Sequence, residues 1–343
     1  MRVLVTGGTG LIGSNIALEL IKQGNEVLIT GTDSERKVDG AKKYLQPSFV
    51  GLDFDEIGDV DVVFHQAAIN DTTNLDKKEM FRANVESSKK LFEYAVKNGC
   101  NRIIYASSTA IYGNSPAPYI EDKTKLNPLN PYAESKIIME QVAKEINDKH
   151  KGLVIIGLRY CNVYGPGENF KGKRATMIYQ LAQQMLRGNP KIFKYGEQKR
   201  DYIYVKDVVK ANILASKAKE SCIVNCGYGQ STTFNELINI LNKILGVKRS
   251  PEYVDNPYKD KYQEHTECDM SLAKKKINFV PEFDIEKGIK DYYETGFLVS
   301  SFNILSIKFV VDFPIVSSIR TISPPFFSTV SFSIPVNPDF DFT

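Results

Sequence analysis

The sequence predicts an α/β protein: a doubly wound parallel sheet followed by a smaller C-terminal α/β domain. Three observations carry this. A short apolar run, Arg2-Val3-Leu4-Val5-Thr6, meets a glycine cluster, Gly7-Gly8-Thr9-Gly10, and then a pattern of helical period. Short apolar segments go on alternating with longer helical ones as far as residue 158, the signature of strands buried on both faces and joined by crossover helices. From Gly165-Pro166-Gly167 the punctuation changes and the segments become irregular.

The elements follow in order. After the first strand, Leu11, Ile12, Ile16, Ala17, Leu20 and Ile21 fall at helical spacing before Gly24, so residues 11–23 form a helix. Strands are predicted at 27–30, 49–53 and 62–66, a helix over 77–98, a strand at 102–106, a helix from 132 and a strand at 153–158. Residues 1–165 constitute the first domain. Residues 166–296 form the second, with helices at 175–187 and 234–245. A helix over 204–218 returns to the first domain, so the boundary is discontinuous.

Residues 297–343 differ from everything before them. They hold nine of the 19 Phe and nine Ser, but their only charged residues are Lys308, Asp312, Arg320, Asp339 and Asp341. Lys308, Asp312 and Pro314 interrupt every apolar run before it reaches membrane-spanning length. The expectation is an appendage outside the fold, whose removal after Gly296 leaves activity intact.

Composition narrows the function. The chain of 343 residues carries 44 basic and 41 acidic residues, a net charge of +3, with no dense basic block. That balance gives no footprint for nucleic acid or a membrane surface, and a nucleotide-sized ligand fits better. The N-terminus lacks a signal-peptide pattern, so a cytoplasmic location is expected. Five cysteines with no C-x-x-C pair argue against a disulfide framework or a metal site, leaving packed thiols.

Glycines 7, 10 and 13 lie between the first strand and its helix. Such a turn lets the backbone approach a pyrophosphate, which the unpaired N–H groups at the helix start then stabilise. Gly7, Gly10, Leu11, Ile12 and Gly13 are therefore candidate dinucleotide contacts. The second strand of such sites ends in an acidic residue that binds the adenosine ribose; here that position is Gly31, followed by Thr32, Asp33, Arg36 and Lys37. Glycine leaves room for a 2′-phosphate and the two cations can pair with it, which predicts NADP. NAD is the alternative, with Asp33 on the ribose.

Ser107-Ser108-Thr109 follows a strand, and Tyr132 and Lys136 stand four apart on one helix face. A phenol of pKa near 10 must lose about three units, roughly 4 kcal/mol, to act as a base at neutral pH. One cation at about 4 Å supplies that much at an effective dielectric near 20, so Lys136 suffices in principle.

Taken together, the glycine turn, Ser107-Ser108-Thr109-Ala110-Ile111-Tyr112-Gly113, Tyr132-x-x-x-Lys136, Arg159-Tyr160-Cys161-Asn162-Val163-Tyr164-Gly165-Pro166 and Arg200-Asp201-Tyr202-Ile203-Tyr204-Val205 resemble the extended short-chain dehydrogenase/reductase family over residues 1–296. The resemblance implies a Rossmann-type fold, a nicotinamide cofactor, a nucleotide-sugar substrate and a homo-oligomer. It assigns Ser108 to polarising the sugar oxygen, Tyr132 to proton transfer and Lys136 to the tyrosine and the nicotinamide ribose. Asp53, Phe54, Gln66, Ala67, Ala68, Asn84 and Val163 join the dinucleotide wall. Asn162, Lys173, Gln180, Phe193, Arg200 and Tyr262 join the substrate site. Among epimerases of the family a lysine shortly after the Tyr-Gly-Pro turn is a second base, and Lys171 falls there. Gly31, Gly167, Lys173 and Gln180 depart from the pattern, in place of Asp, Arg, a small residue and His. The implied reaction is epimerisation by transient oxidation to a keto-sugar and re-reduction on the opposite face. A 4,6-dehydratase would carry an Asp-Glu pair after the catalytic hydroxyl, where Thr109-Ala110 stands. A non-catalytic dinucleotide-binding regulator would be expected to lose Tyr132 or Lys136, and both are present.

Overall fold

The computed structural model describes residues 1–32, 38–47, 50–72, 74–257 and 263–300, the side chain of Lys173 excepted. The described residues all belong to one compact unit. It opens with β1 (Arg2–Thr6), α1 (Leu11–Lys22), β2 (Glu26–Thr30), β3 (Lys43–Leu45) and β4 (Val62–His65). Next come α2 (Lys77–Phe81) and α3 (Ser87–Lys97), joined by a π-helical turn at Arg82–Glu86, then β5 (Arg102–Ser108), α4 (Pro131–Lys149), β6 (Val154–Tyr160) and β7 (Asn162–Tyr164). The remainder is α5 (Met177–Met185), β8 (Lys191–Phe193), β9 (Lys199–Tyr204), α6 (Val205–Ala215), β10 (Cys222–Cys226), β11 (Ser231–Thr233), α7 (Phe234–Leu245), β12 (Glu252–Val254), α8 (Ser271–Ile277) and α9 (Ile285–Glu294).

Seven strands form one parallel sheet in the order β10-β6-β5-β4-β1-β2-β3. Alternation along β1 divides the core: Val3 and Val5 pack with Ile16 and Leu20 of α1, while Leu4 packs on the other face with Phe92 of α3 and Met139 of α4. The order reverses between β1 and β4, and the carboxyl ends of strands at such a point form a crevice that binds ligands. Two small sheets, β11-β9-β7 and β12-β8, make up the irregular part.

Local chemistry sets the helix ends. The Asn130 side chain accepts the Ala133 N–H at 2.9 Å with Pro131 in the first turn, so α4 starts cleanly. Thr233 and Glu236 form a reciprocal capping box on α7, and Gly246 closes that helix at φ 66°. The expected strand at 49–53 is replaced by β3 at Lys43–Leu45, and residues 50–53 are turn and loop. Gly51 takes φ 76°, which interrupts an extended run there. The single helix expected over 77–98 is broken into two by the π turn.

Two further expectations change. Cys161 and Cys268 are disulfide-bonded, whereas Cys100, Cys222 and Cys226 are free. The partners lie 107 residues apart and meet only because β7 and residues 263–269 both pack on β9, which cysteine spacing does not reveal. The tail boundary also moves. Leu298 is fully buried, its carbonyl accepts Gln183 Nε2 at 2.8 Å, and the Ser300 carbonyl accepts the Tyr179 hydroxyl at 3.0 Å, both donors on α5. Residues 301–343 lie outside the described residues. Truncation after Gly296 is therefore expected to lower stability by about 2 kcal/mol or more relative to truncation after Ser300, through loss of the buried leucine. Equal urea midpoints for the two truncated proteins would contradict this.

Among the described residues no helix is long and apolar enough to cross a membrane.

Candidate functional site

A cavity of about 450 Å³ opens at the β1/β4 switch point, within the usual range for small-molecule sites. Its floor is the glycine turn. Gly7 has φ 65° and a Cβ there would lie 2.9 Å from the Ala67 nitrogen, while a Cβ on Gly13 would lie 2.3 Å from the Gly7 carbonyl oxygen. The three layers of backbone thus pack without room for side chains. α1 begins at Leu11 with Gly10 as its N-cap and no side-chain cap, so its first N–H groups remain for a ligand. This cradle fits a dinucleotide pyrophosphate, which Gly7, Gly10, Leu11, Ile12 and Gly13 would hold; when bound, the cofactor would supply hydride exchange.

The cavity brings together Gly7, Gly10, Leu11, Ile12, Gly13, Thr32, Gln66, Ala67, Ala68, Ser108, Tyr132, Lys136, Val163 and Lys171. Ser108, at the end of β5, accepts the Ala110 N–H at 3.1 Å and lines the cavity together with Tyr132. Lys136, 2% exposed, donates to the Ala106 carbonyl at 2.7 Å. Burial pulls its ammonium down to about 8 against the opposing pull of Glu140. The Tyr132 phenol is raised, because desolvation outweighs the lowering influence of the Ser108 hydroxyl. That departs from the expectation that Lys136 alone lowers it. The lysine nitrogen stands 5.7 Å from the ring centroid, with its bond spent on Ala106.

Glu140 escaped the sequence reading, although it lies one turn beyond Lys136. Its carboxylate accepts two bonds from Arg159, at 2.9 and 2.8 Å, and one from the Ser107 hydroxyl at 2.6 Å. Glu140 thus ties the ends of β5 and β6 to α4, beside the cavity that Ser108 and Tyr132 line.

Lys171 reaches the same cavity from the short helical turns Glu168–Arg174. Burial lowers its pKa, the Glu168 charge works against that, and Arg174 adds to it. Glu168, fully buried, is raised to about 7 by desolvation, against N–H donation from Thr176 and the charge of Lys171. It accepts the Thr176 N–H at 2.8 Å and the Gly165 N–H at 3.3 Å, which pins the loop carrying Lys171. Glu168 three residues before Lys171 was the available signal. Phe170, Arg174, Ile69 and Asn70 also line the cavity and were not anticipated.

Other candidates stand elsewhere. The Asn84 amide serves Ile69 N and O at 2.8 Å each and the Ser135 hydroxyl at 3.0 Å, behind the cavity wall. The Asp53 carboxylate accepts the Asp55 N–H, and Phe54 stacks on Tyr94 at 5.2 Å. A Cβ on Gly31 would lie 2.4–2.5 Å from the Thr9 side chain, so the space expected there is filled by Thr9. Asn162 donates to the Asp201 carbonyl and to the Thr266 hydroxyl, and Arg200 to the Glu264 carbonyl, so both face residues 264–266 rather than the cavity. Gln180 donates to the Ala175 carbonyl at 2.6 Å, and Phe193 lies on β8 opposite Val254. Arg36, Lys37 and Tyr262 lie outside the described residues.

Beneath the cavity, the Thr6 hydroxyl accepts N–H bonds from Gln66 and Ala67, both at 3.1 Å. Its own proton therefore goes to His65 Nδ1 at 2.7 Å, and His65 Nε2–H donates to Ser88 at 2.8 Å. Burial, reinforced by Lys136, holds the ring at about pKa 3. A folded pKa below the unfolded value near 6.5 gives stability that is present above pH 6.5 and is lost on acidification toward pH 3. The His65 ring is expected to remain the neutral Nε2–H tautomer at pH 5; nitrogen shifts of an imidazolium there would contradict it.

A model of the NAD dependent epimerase/dehydratase family matches residues 3–227. The structure is similar to ADP-L-glycero-D-manno-heptose-6-epimerase of Helicobacter pylori, with 33% identity, a TM-score of 0.75 and coverage of 86% of this chain and 95% of that one. It is similar also to UDP-glucose 4-epimerase of Thermotoga maritima, with 30% identity, TM-score 0.78 and coverage of 86% and 99%. MoeE5, solved with UDP-glucose and NAD, matches at 27% identity and TM-score 0.76, covering 86% of this chain and 98% of that one. The chain belongs to the NAD dependent epimerase/dehydratase family. It is an NAD(P)-dependent carbohydrate epimerase, an isomerase, built on a Rossmann-type sheet.

Proposed function

We propose that the protein is a nucleotide-sugar epimerase using NADP, and that its substrate is an ADP-glyceromanno-heptose inverted at C6. One observation carries the reading: Tyr132 and Lys171 line a single cavity from different elements. Inversion through a ketone requires both faces of the carbon to be presented in turn, so the sugar oxygen does not stay beside one group. Tyr132 Oη moves the proton for one epimer, Ser108 polarises the oxygen, and Lys136 orients the tyrosine. Lys171 Nζ handles the other epimer, and its burial favours the neutral, proton-accepting form. The resemblance assigns Asn162 and Arg200 to the nucleotide end and Lys173, Gln180, Phe193 and Tyr262 to the substrate site.

The second reading is a UDP-hexose 4-epimerase, supported by the likeness to the Thermotoga enzyme; it would work with Tyr132 and without Lys171. Incubation with ADP-heptose, UDP-glucose and UDP-galactose, followed by NMR of the products, decides between them. Inversion of the heptose at C6 supports the first reading and interconversion of the hexoses replaces it with the second.

The NADP preference rests on the two cations, Arg36 and Lys37, that follow Gly31, since the room expected at Gly31 itself is taken by Thr9. A charge-assisted contact of about 1.5–3 kcal/mol should favour NADP over NAD by roughly ten- to a hundred-fold. Arg36→Ala with Lys37→Ala should erase that preference. Equal calorimetric affinities for the two dinucleotides in the unmutated protein would refute it.

A further inference from the structure

Cys161 and Cys268 take no part in the chemistry above, yet they join two parts of the site. Cys161 follows β6 and lines the dinucleotide cavity. Cys268 belongs to residues 263–269, which hold the groups assigned to the nucleotide end: the Glu264 carbonyl takes Arg200, and the Thr266 hydroxyl takes Asn162 at 3.2 Å. The two sulfurs are bonded, and both residues are buried. We propose that Cys161 and Cys268 form an oxidisable pair whose disulfide clamps residues 263–269 to the edge of the dinucleotide cavity.

Asp201 completes a buried three-ligand group with the two sulfurs, which raises the alternative of a metal ion. The hydrogen bonding opposes it. One Asp201 oxygen accepts the Tyr228 N–H at 2.7 Å, and the other accepts the N–H groups of Gly229 and Cys268, both at 3.1 Å. The carboxylate is therefore occupied with holding the backbone, and a closed tetrahedral site would need a fourth ligand.

The co-reactant is a low-molecular-weight disulfide entering through the cavity that Cys161 lines. The Cys161 thiolate, its proton released to solvent, attacks one sulfur of that disulfide and expels a thiolate. Cys268, deprotonated in turn, attacks Cys161 Sγ and expels the second. The two cysteines lose two electrons together, and the small disulfide is reduced to two thiols.

The test uses the full chain, treated either with oxidised glutathione or with tris(carboxyethyl)phosphine. Alkylation and peptide mass spectrometry should show a Cys161–Cys268 linked peptide only after oxidation, with Cys100, Cys222 and Cys226 alkylated in both samples. Backbone amides of residues 263–269 should exchange about tenfold or more slowly in the oxidised sample, since opening of that segment is what the clamp restrains. Cys268→Ala and Cys161→Ala should each abolish the difference. Five alkylated cysteines after oxidation, a different pairing, or equal exchange in the two samples would overturn the proposal. None of these readouts depends on which sugar is turned over.

Discussion

Tyr132→Phe and Lys171→Met are each expected to lower kcat by on the order of 100-fold or more. The phenylalanine keeps the ring and removes the proton that Oη carries. The methionine keeps the length of the lysine and removes its nitrogen. The competing role for Lys171 is to neutralise substrate phosphate. A phosphate contact binds ground state and transition state alike, so its loss raises KM and spares kcat, whereas loss of a proton-transfer group lowers kcat. Desolvation lowers the Lys171 pKa against the pull of Glu168, the direction a proton acceptor needs. Dinucleotide affinity should change little in the methionine variant. Near-normal kcat with a raised KM would remove Lys171 from the chemistry and leave a one-tyrosine 4-epimerase.

Gly13→Ala is expected to weaken dinucleotide binding by on the order of 100-fold, about 2.8 kcal/mol. The new Cβ would stand 2.3 Å from the Gly7 oxygen and 3.0 Å from the Gly8 Cα. Those neighbours are backbone and cannot swing aside, so the start of α1 must lift away from the turn. The N–H groups of the first helical turn would then miss the pyrophosphate. Gly188→Ala is the matched control, since a Cβ there meets nothing within 4 Å. Calorimetric titration of both variants with NADP and NAD measures the effect; native affinity in Gly13→Ala would show that the cradle does not hold the cofactor.

The features legible in the sequence are those whose signal is local. The β1–glycine–α1 unit, the return of α6 and the start of α7 at Phe234 follow from period and punctuation alone. The i, i+4 spacing put Tyr132 and Lys136 on one face of α4. What was missed depends on contacts between distant segments. Thr9 filling the space over Gly31, Arg159 meeting Glu140 and Cys161 meeting Cys268 are created by the crossing of elements and leave no pattern along the chain. The third strand was misplaced because the apolar residues 49–53 read as a strand, while Gly51 at positive φ breaks them and the short Lys43–Leu45 supplies the edge. The tail boundary failed in the same way: composition changes at 297, but Leu298 still fits against α5. The state of the Tyr132 proton is not legible in the sequence, because the charge of Lys136 is outweighed by desolvation that only the fold creates.

The central claim is inversion by transient oxidation at one carbon with return of the same hydrogen. The sugar that turns over in the product screen, deuterated at the carbon that inverts, tests this most directly. The account predicts that the epimer retains deuterium at that carbon, with no net reduction of the dinucleotide and no loss of water. Replacement of the label by solvent hydrogen, or a dehydrated product, would contradict it.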